Sequence, residues 1–127
     1  MAFDETENLF SYGTLQSKAV QLATFGRSLE EKPGRLIGYR ITMIPISNHK
    51  LMTTTGAPHN RNIQFTGIAS DVVEGSVFQV TKNELERADA YERIADYKRV
   101  LVQLASGRTA WVYLSAQPDI NKEGETP

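Results

Sequence analysis

The tetrapeptide Thr81-Lys82-Asn83-Glu84 constrains this chain more than any other segment. A threonine three residues before a glutamate can trade two side-chain-to-backbone hydrogen bonds, the capping box that starts a helix. The box follows the β-forming run SVFQV at 76–80 and opens a helical pattern from Lys82 through about residue 94. Residues 97–105 and 109–114 then alternate around Ser106-Gly107, as the two arms of an antiparallel hairpin do. Strand, helix and hairpin therefore follow one another without a linker.

Upstream, residues 8–12 read as a strand running into Gly13, and residues 15–25 as a helix closed by Gly26. Lys32-Pro33-Gly34 marks a turn, and residues 36–44 are a strand that Pro45 limits. Residues 45–62 form a polar, turn-rich surface excursion with room for a short strand at 51–55. Residues 62–68 and 76–80 are strands, with Glu74-Gly75 as a bend between Val72 and Val77. Many strands with two main helices predict an α+β fold, a small mixed or antiparallel sheet curled into a β-barrel. At 127 residues the chain fits one domain, over 1–116, followed by a flexible polar tail at 117–127.

Composition removes several classes of function. Fourteen Lys and Arg against 15 Asp and Glu give a formal charge of -1, so neither nucleic acid nor a membrane surface is the expected partner. The chain has no cysteine, which excludes disulfides, zinc–thiolate sites, iron–sulfur clusters and a thiol nucleophile. No apolar window is long enough to span a bilayer, and the start, MAFDETENLF, is acidic where a signal peptide is basic. A cytoplasmic location is the expectation. No pattern specifies an oligomeric state.

On a helical wheel of about 100° per residue, Glu92 falls on the same apolar stripe as Leu85, Ala88 and Ala95. Desolvating a carboxylate costs several kcal/mol in order of magnitude and raises its pKa, which suits a general base near neutral pH. The alternative is a carboxylate at the stripe's edge, or one paired with Arg99. Tyr12-Gly13-Thr14-Leu15 joins a strand to a helix and so presents backbone amides able to hold a carboxylate or polarise a carbonyl. The plainer reading is a turn with Thr14 as helix N-cap. Tyr97 and Arg99 share one strand face, as do Trp111 and Tyr113, and each pair either lines a pocket or covers the outside of the fold. His49 and His59 stand in the turn-rich excursion without carboxylates at ligand spacing, and read as solvated loop residues. No P-loop and no nucleophile elbow is present.

Taken in order, LFSYGTL at 9–15, GYRI at 38–41, VEGSVFQV at 73–80, ADAYERIADYKRVLV at 88–102 and AWVYL at 110–114 resemble the gamma-glutamylcyclotransferase-like family, including its gamma-glutamylamine branch. That family carries a Tyr-Gly-Ser/Thr-Leu loop, a Gly-x-Val/Leu-aromatic strand before its second helix, an Asp-x-aromatic-Glu helix segment and a Tyr-x-Arg. The resemblance implies a small mixed barrel with two helices and an intramolecular reaction without metal or cofactor. In that reaction the α-amino group of a γ-glutamyl unit attacks its own γ-amide carbonyl, releasing 5-oxoproline and an amine or amino acid. It further implies that Glu92 is the acid/base, that Tyr12, Gly13, Thr14 and Leu15 cradle the substrate, and that Tyr97, Arg99 and Tyr113 contact it. Two departures stand out: residues 45–67 follow no family pattern, and Arg93 takes a place that is small in many relatives. A non-catalytic binding module on the same fold, and an interaction domain using the 45–62 excursion, are the competing classes.

Overall fold

The structure is a computed structural model that describes residues 5–45, 51–53 and 58–116. The tail at 117–127, His49 and most of the excursion's interior lie outside the described residues. Among the described residues, seven strands and two α-helices form an α+β fold: β1 (Thr6–Ser11), α1 (Lys18–Phe25), β2 (Lys32–Ile37), β3 (Tyr39–Met43), β4 (Arg61–Phe65), β5 (Val72–Thr81), α2 (Lys82–Arg93), β6 (Tyr97–Gln103) and β7 (Thr109–Ser115). Five strands make one sheet in the order β2-β5-β1-β7-β6, and β3 and β4 pair as a separate ribbon. All pairings are antiparallel except β1 with β7, where Leu9 faces Trp111.

Strand alternation sends side chains to two cores. Leu9, Phe78 and Val80 pack with Val20 and Phe25 of α1 and with Leu85 and Ala88 of α2. Their neighbours Phe10, Val73 and Val112 point the other way, into a cluster with Leu36 and Ile63. The expected barrel is not a closed one. β2 and β6 remain the edges of the main sheet, and one main-chain bond, Ala105 N–H to the Arg35 carbonyl at 2.9 Å, reaches across from the end of β6.

Several boundaries differ from the expectations for local reasons. The strand at 36–44 is two strands broken at Gly38, whose φ of 86° is costly for other residues. The Lys32-Pro33-Gly34 turn belongs to β2, because an edge strand tolerates a proline. Glu74-Gly75 is no bend. β5 runs straight through it, with Gly75 opposite Gly34. The first helix is a 3₁₀ turn at Thr14–Gln16 and then α1, capped by the Ser17 side chain and not by Thr14. At 51–55 an isolated bridge, Met52 to Pro58, replaces the short strand among the described residues.

The capping box is present. Glu84 N–H donates to Thr81 Oγ1 at 3.2 Å and Thr81 N–H donates to Glu84 Oε1 at 3.0 Å. Arg27 binds the same carboxylate through two nitrogens at 2.6 and 2.8 Å, tying the end of α1 to the start of α2 and holding the Glu84 pKa below its usual value. Thr81→Ala is expected to lower stability by about 1 kcal/mol, read as a reduced urea midpoint at unchanged slope.

Candidate active site

Glu92 stands in the last turn of α2, on the stripe with Leu85, Ala88 and Ala95, and is 3% exposed. A helix C-terminus carries partial negative charge and gives an anion no support. Burial raises the Glu92 pKa above the ordinary value, and the adjacent His59 pulls it partly back. His59 Nε2 lies 2.8 Å from Glu92 Oε1, which is ion-pair distance, yet the contact lacks hydrogen-bond alignment and Oε1 is buried without a hydrogen-bond partner. Arg99 pairs with Asp89 and Glu92 with His59, so the alternative of a Glu92–Arg99 pair does not hold.

The carboxylate lines a cavity of about 340 Å³, within the range of small-ligand sites. Tyr12, Gly13, Thr14 and Leu15 form one wall, Tyr97 and Tyr113 another, and His59, Asn60 and Arg61 a third. β1 delivers the first wall. Its sheet register ends at Ser11, and the chain leaves the sheet at Tyr12, whose hydroxyl donates to the Tyr113 carbonyl at 2.6 Å. The Gly13 amide donates to Ser11 Oγ at 3.2 Å, which holds the loop against the strand it leaves.

The cavity phenols are anchored. Tyr97 Oη donates to the Arg61 carbonyl at 2.6 Å, and Tyr113 Oη donates to Asp89 Oδ1 at 2.6 Å. Burial pushes the pKa values of Tyr12, Tyr97 and Tyr113 well above the phenol range, so each is a neutral donor at physiological pH. The Arg61 guanidinium donates to the Tyr12 carbonyl at 3.3 Å, adding a cation to the third wall.

Arg99 is not among the residues that line this cavity. Two residues along β6 advance about 7 Å, which carries it beyond Tyr97 to the flank of α2. There it contacts Asp89 at 3.3 Å and lies 4.4 Å over the Trp111 ring. Its register partner is Tyr113 and Asp89 also accepts from Tyr113, so Arg99 braces a cavity residue from outside. Trp111 donates to Glu7 at 2.7 Å and likewise lies outside the cavity lining.

His59 corrects the expectation of a solvated loop histidine. It is 7% exposed, with its ring 5.1 Å from the Tyr91 ring and 4.7 Å from that of Tyr97. Its Nδ1 lies 3.2 Å from Thr14 Oγ1 and 3.1 Å from Tyr91 Oη. Tyr91 and Arg61 also have no counterpart in the sequence-based site. The segment that supplies His59 and Arg61 has no periodicity to reveal an inward face, and Tyr91 sits beside the apolar stripe, not on it. Among the described residues no three His, Asp or Glu side chains converge as metal ligands, and no helix is long and apolar enough to cross a membrane.

Residues 9–127 match the family model described as gamma-glutamyl cyclotransferase, AIG2-like. No curated protein matches the sequence. A solution structure of an Arabidopsis thaliana protein superposes with a TM-score of 0.67 at 21% identity, covering 98% of this chain and 76% of its own. An uncharacterized protein from Homo sapiens gives 0.68 at 20% identity, with 91% and 70% covered. A structure named gamma-glutamyl cyclotransferase gives 0.64 at 20% identity, with 91% and 69% covered. At these identities the likeness is one of fold.

Proposed function

From the premise that the chain belongs to the gamma-glutamyl cyclotransferase, AIG2-like family, we propose that it cleaves a γ-glutamyl amide by cyclisation, with Glu92 as the general acid/base. The observation that carries this reading is the buried Glu92 carboxylate, whose Oε1 faces no hydrogen-bond partner. A substrate ammonium would supply that partner.

The substrate's α-ammonium gives a proton to Glu92, and the freed amine attacks the γ-carbonyl carbon. The new C–N bond closes the five-membered ring of 5-oxoproline. The C–N bond to the departing amine then breaks as Glu92 returns its proton to that nitrogen, and the ring nitrogen gives up its second proton, which leaves with the departing amine as its ammonium form. The loop at Tyr12, Gly13, Thr14 and Leu15 holds the substrate carboxylate or the developing oxyanion through main-chain N–H groups other than that of Gly13, which already donates to Ser11 Oγ. The Tyr97 and Tyr113 rings wall the cavity against water, and Arg99 acts through Asp89 and Tyr113. Because the nucleophile belongs to the substrate, the chemistry calls for no cysteine, serine, metal or cofactor from the protein. A small γ-glutamyl compound as partner and a cytoplasmic site of action complete the reading.

Incubation of the purified protein with γ-glutamyl amines and γ-glutamyl dipeptides is expected to yield 5-oxoproline from at least one. Binding without product across the panel would reduce the cavity to a non-catalytic ligand site. The ionised carboxylate is the active form, so kcat/KM is expected to rise with pH through a midpoint above the free glutamate value of about 4.3. A midpoint at or below that value would place the working group in a solvated or strongly cation-paired setting, unlike Glu92.

A further inference from the structure

A buried carboxylate that must be charged to work needs something to keep it so. His59 Nε2, 2.8 Å from Glu92 Oε1, is the group in place to do it, and the other side of its ring selects the tautomer. Nδ1 faces two hydroxyls, Thr14 Oγ1 and Tyr91 Oη, which are themselves 2.6 Å apart. Two hydroxyls in mutual contact use one proton between them and have one left to direct at Nδ1. A neutral imidazole that accepts at Nδ1 carries its proton on Nε2, toward Glu92.

The ring is held for this task from several directions. Tyr91 and Tyr97 flank it. The His59 N–H donates to the Leu51 carbonyl, and Asn60 exchanges two hydrogen bonds with Ile44. Thr14 belongs to the loop after β1 and Tyr91 to α2, so the hydroxyl pair joins the cavity's first wall to the helix that carries Glu92.

We infer that His59 is the positioning residue for Glu92: the Thr14 and Tyr91 hydroxyls keep the ring proton on Nε2, the nitrogen 2.8 Å from Oε1, and this close but unaligned contact favours the charged carboxylate until a substrate ammonium takes over Oε1. The imperfect alignment of the contact fits that exchange, because a fully formed hydrogen bond would compete with the substrate. The inference rests on Glu92 being the base. It adds a residue from the segment at 45–67, where the family resemblance has no pattern.

The other titratable groups facing Glu92 are the phenols of Tyr12 after β1, Tyr91 on α2, Tyr97 on β6 and Tyr113 on β7, all held protonated by burial. Arg61, at the start of β4, lines the same cavity. None of the phenols titrates in the acid range, so a change in the Glu92 midpoint on altering His59 reports on His59.

The test is an NMR titration of the Glu92 carboxyl carbon in the substrate-free wild-type protein and in His59→Leu and His59→Gln. Loss of the donor in His59→Leu is expected to raise the midpoint by about one pH unit or more. In His59→Gln the amide nitrogen reaches toward the place of Nε2, and most of the shift is expected to reverse. An unchanged midpoint in His59→Leu overturns the inference. So does a wild-type nitrogen spectrum that puts the ring proton on Nδ1, a measurement that requires no variant to fold. In turnover, the acid limb of kcat/KM is expected to move up with the carboxyl midpoint while the high-pH plateau stays within about tenfold of wild type. A loss that is uniform across pH marks a merely structural role and overturns the inference. A shifted midpoint in a protein that never forms 5-oxoproline supports the pairing and sinks the enzyme reading, whereas turnover without a shift does the reverse.

Discussion

Glu92→Gln is expected to cut turnover by about 10²- to 10⁴-fold, the usual contribution of a positioned acid/base, while the protein melts at the same temperature or higher at pH 7. The amide keeps the shape of the carboxylate and can still meet His59, but it can neither take a proton from the ammonium nor return one. The stability half follows from linkage. The folded-state pKa of Glu92 lies above its unfolded value, so the folded protein binds this proton more tightly than the unfolded chain does. That stabilisation is fully present below the unfolded pKa of about 4.3 and is lost as pH rises through the folded value. At pH 7 the folded state therefore bears the cost of a buried charge, and glutamine removes it. Initial rates with a responsive γ-glutamyl substrate, together with a thermal melt, check both halves. Turnover within about tenfold of wild type would remove Glu92 from the chemistry. A large fall in Tm would make the carboxylate a structural group. Gain of stability with loss of activity is the pattern of a site selected against its own fold.

Gly75→Ala is expected to be the most damaging single methyl in the described structure, costing about 3 kcal/mol or more. A Cβ at position 75 would stand 2.3 Å from the Ser11 carbonyl oxygen and 2.9 Å from the Phe10 ring. The oxygen belongs to the backbone of β1 and Phe10 is fully buried, so neither has room to yield. The strain would also reach the site, because Ser11 is the last residue of β1 before the loop at Tyr12 and Gly13. A denaturant titration checks it, and Gly13→Ala is the control. A Cβ at Gly13 meets no atom within 4 Å, and the expected loss is under about 1 kcal/mol. Similar losses at both positions would show that the close approach of β1 to β5 is relieved by a backbone shift.

What could be read from the sequence follows the range of the interactions involved. The Thr81–Glu84 box acts across three residues, so the start of α2 was legible, and with it the inward direction of Glu92 seven residues beyond Leu85. The β6–β7 hairpin is equally local. Gly75 reads as a bend in isolation and becomes an unbroken strand only when Gly34, 41 residues earlier, is laid against it. The chain break at Gly38 was hidden for a different reason: the β-forming residues on both sides outweigh one glycine in any local reading. His59 lies 33 positions before Glu92 in a stretch without periodicity, and only the folded arrangement brings the two together. Arg99 shows the opposite failure, since sharing a strand face with Tyr97 did not suffice to share its cavity.

The near-meeting of Ala105 with Arg35 bears on how this molecule behaves in company. A sheet rim with unused N–H and C=O groups is a template on which foreign chains can stack. Here one rim carries Pro33, which has no hydrogen to offer, and the opposite rim turns its far end toward it instead of outward. At that one bond the two borders cover each other, which leaves less unpaired backbone at this corner for crowded copies to stack on.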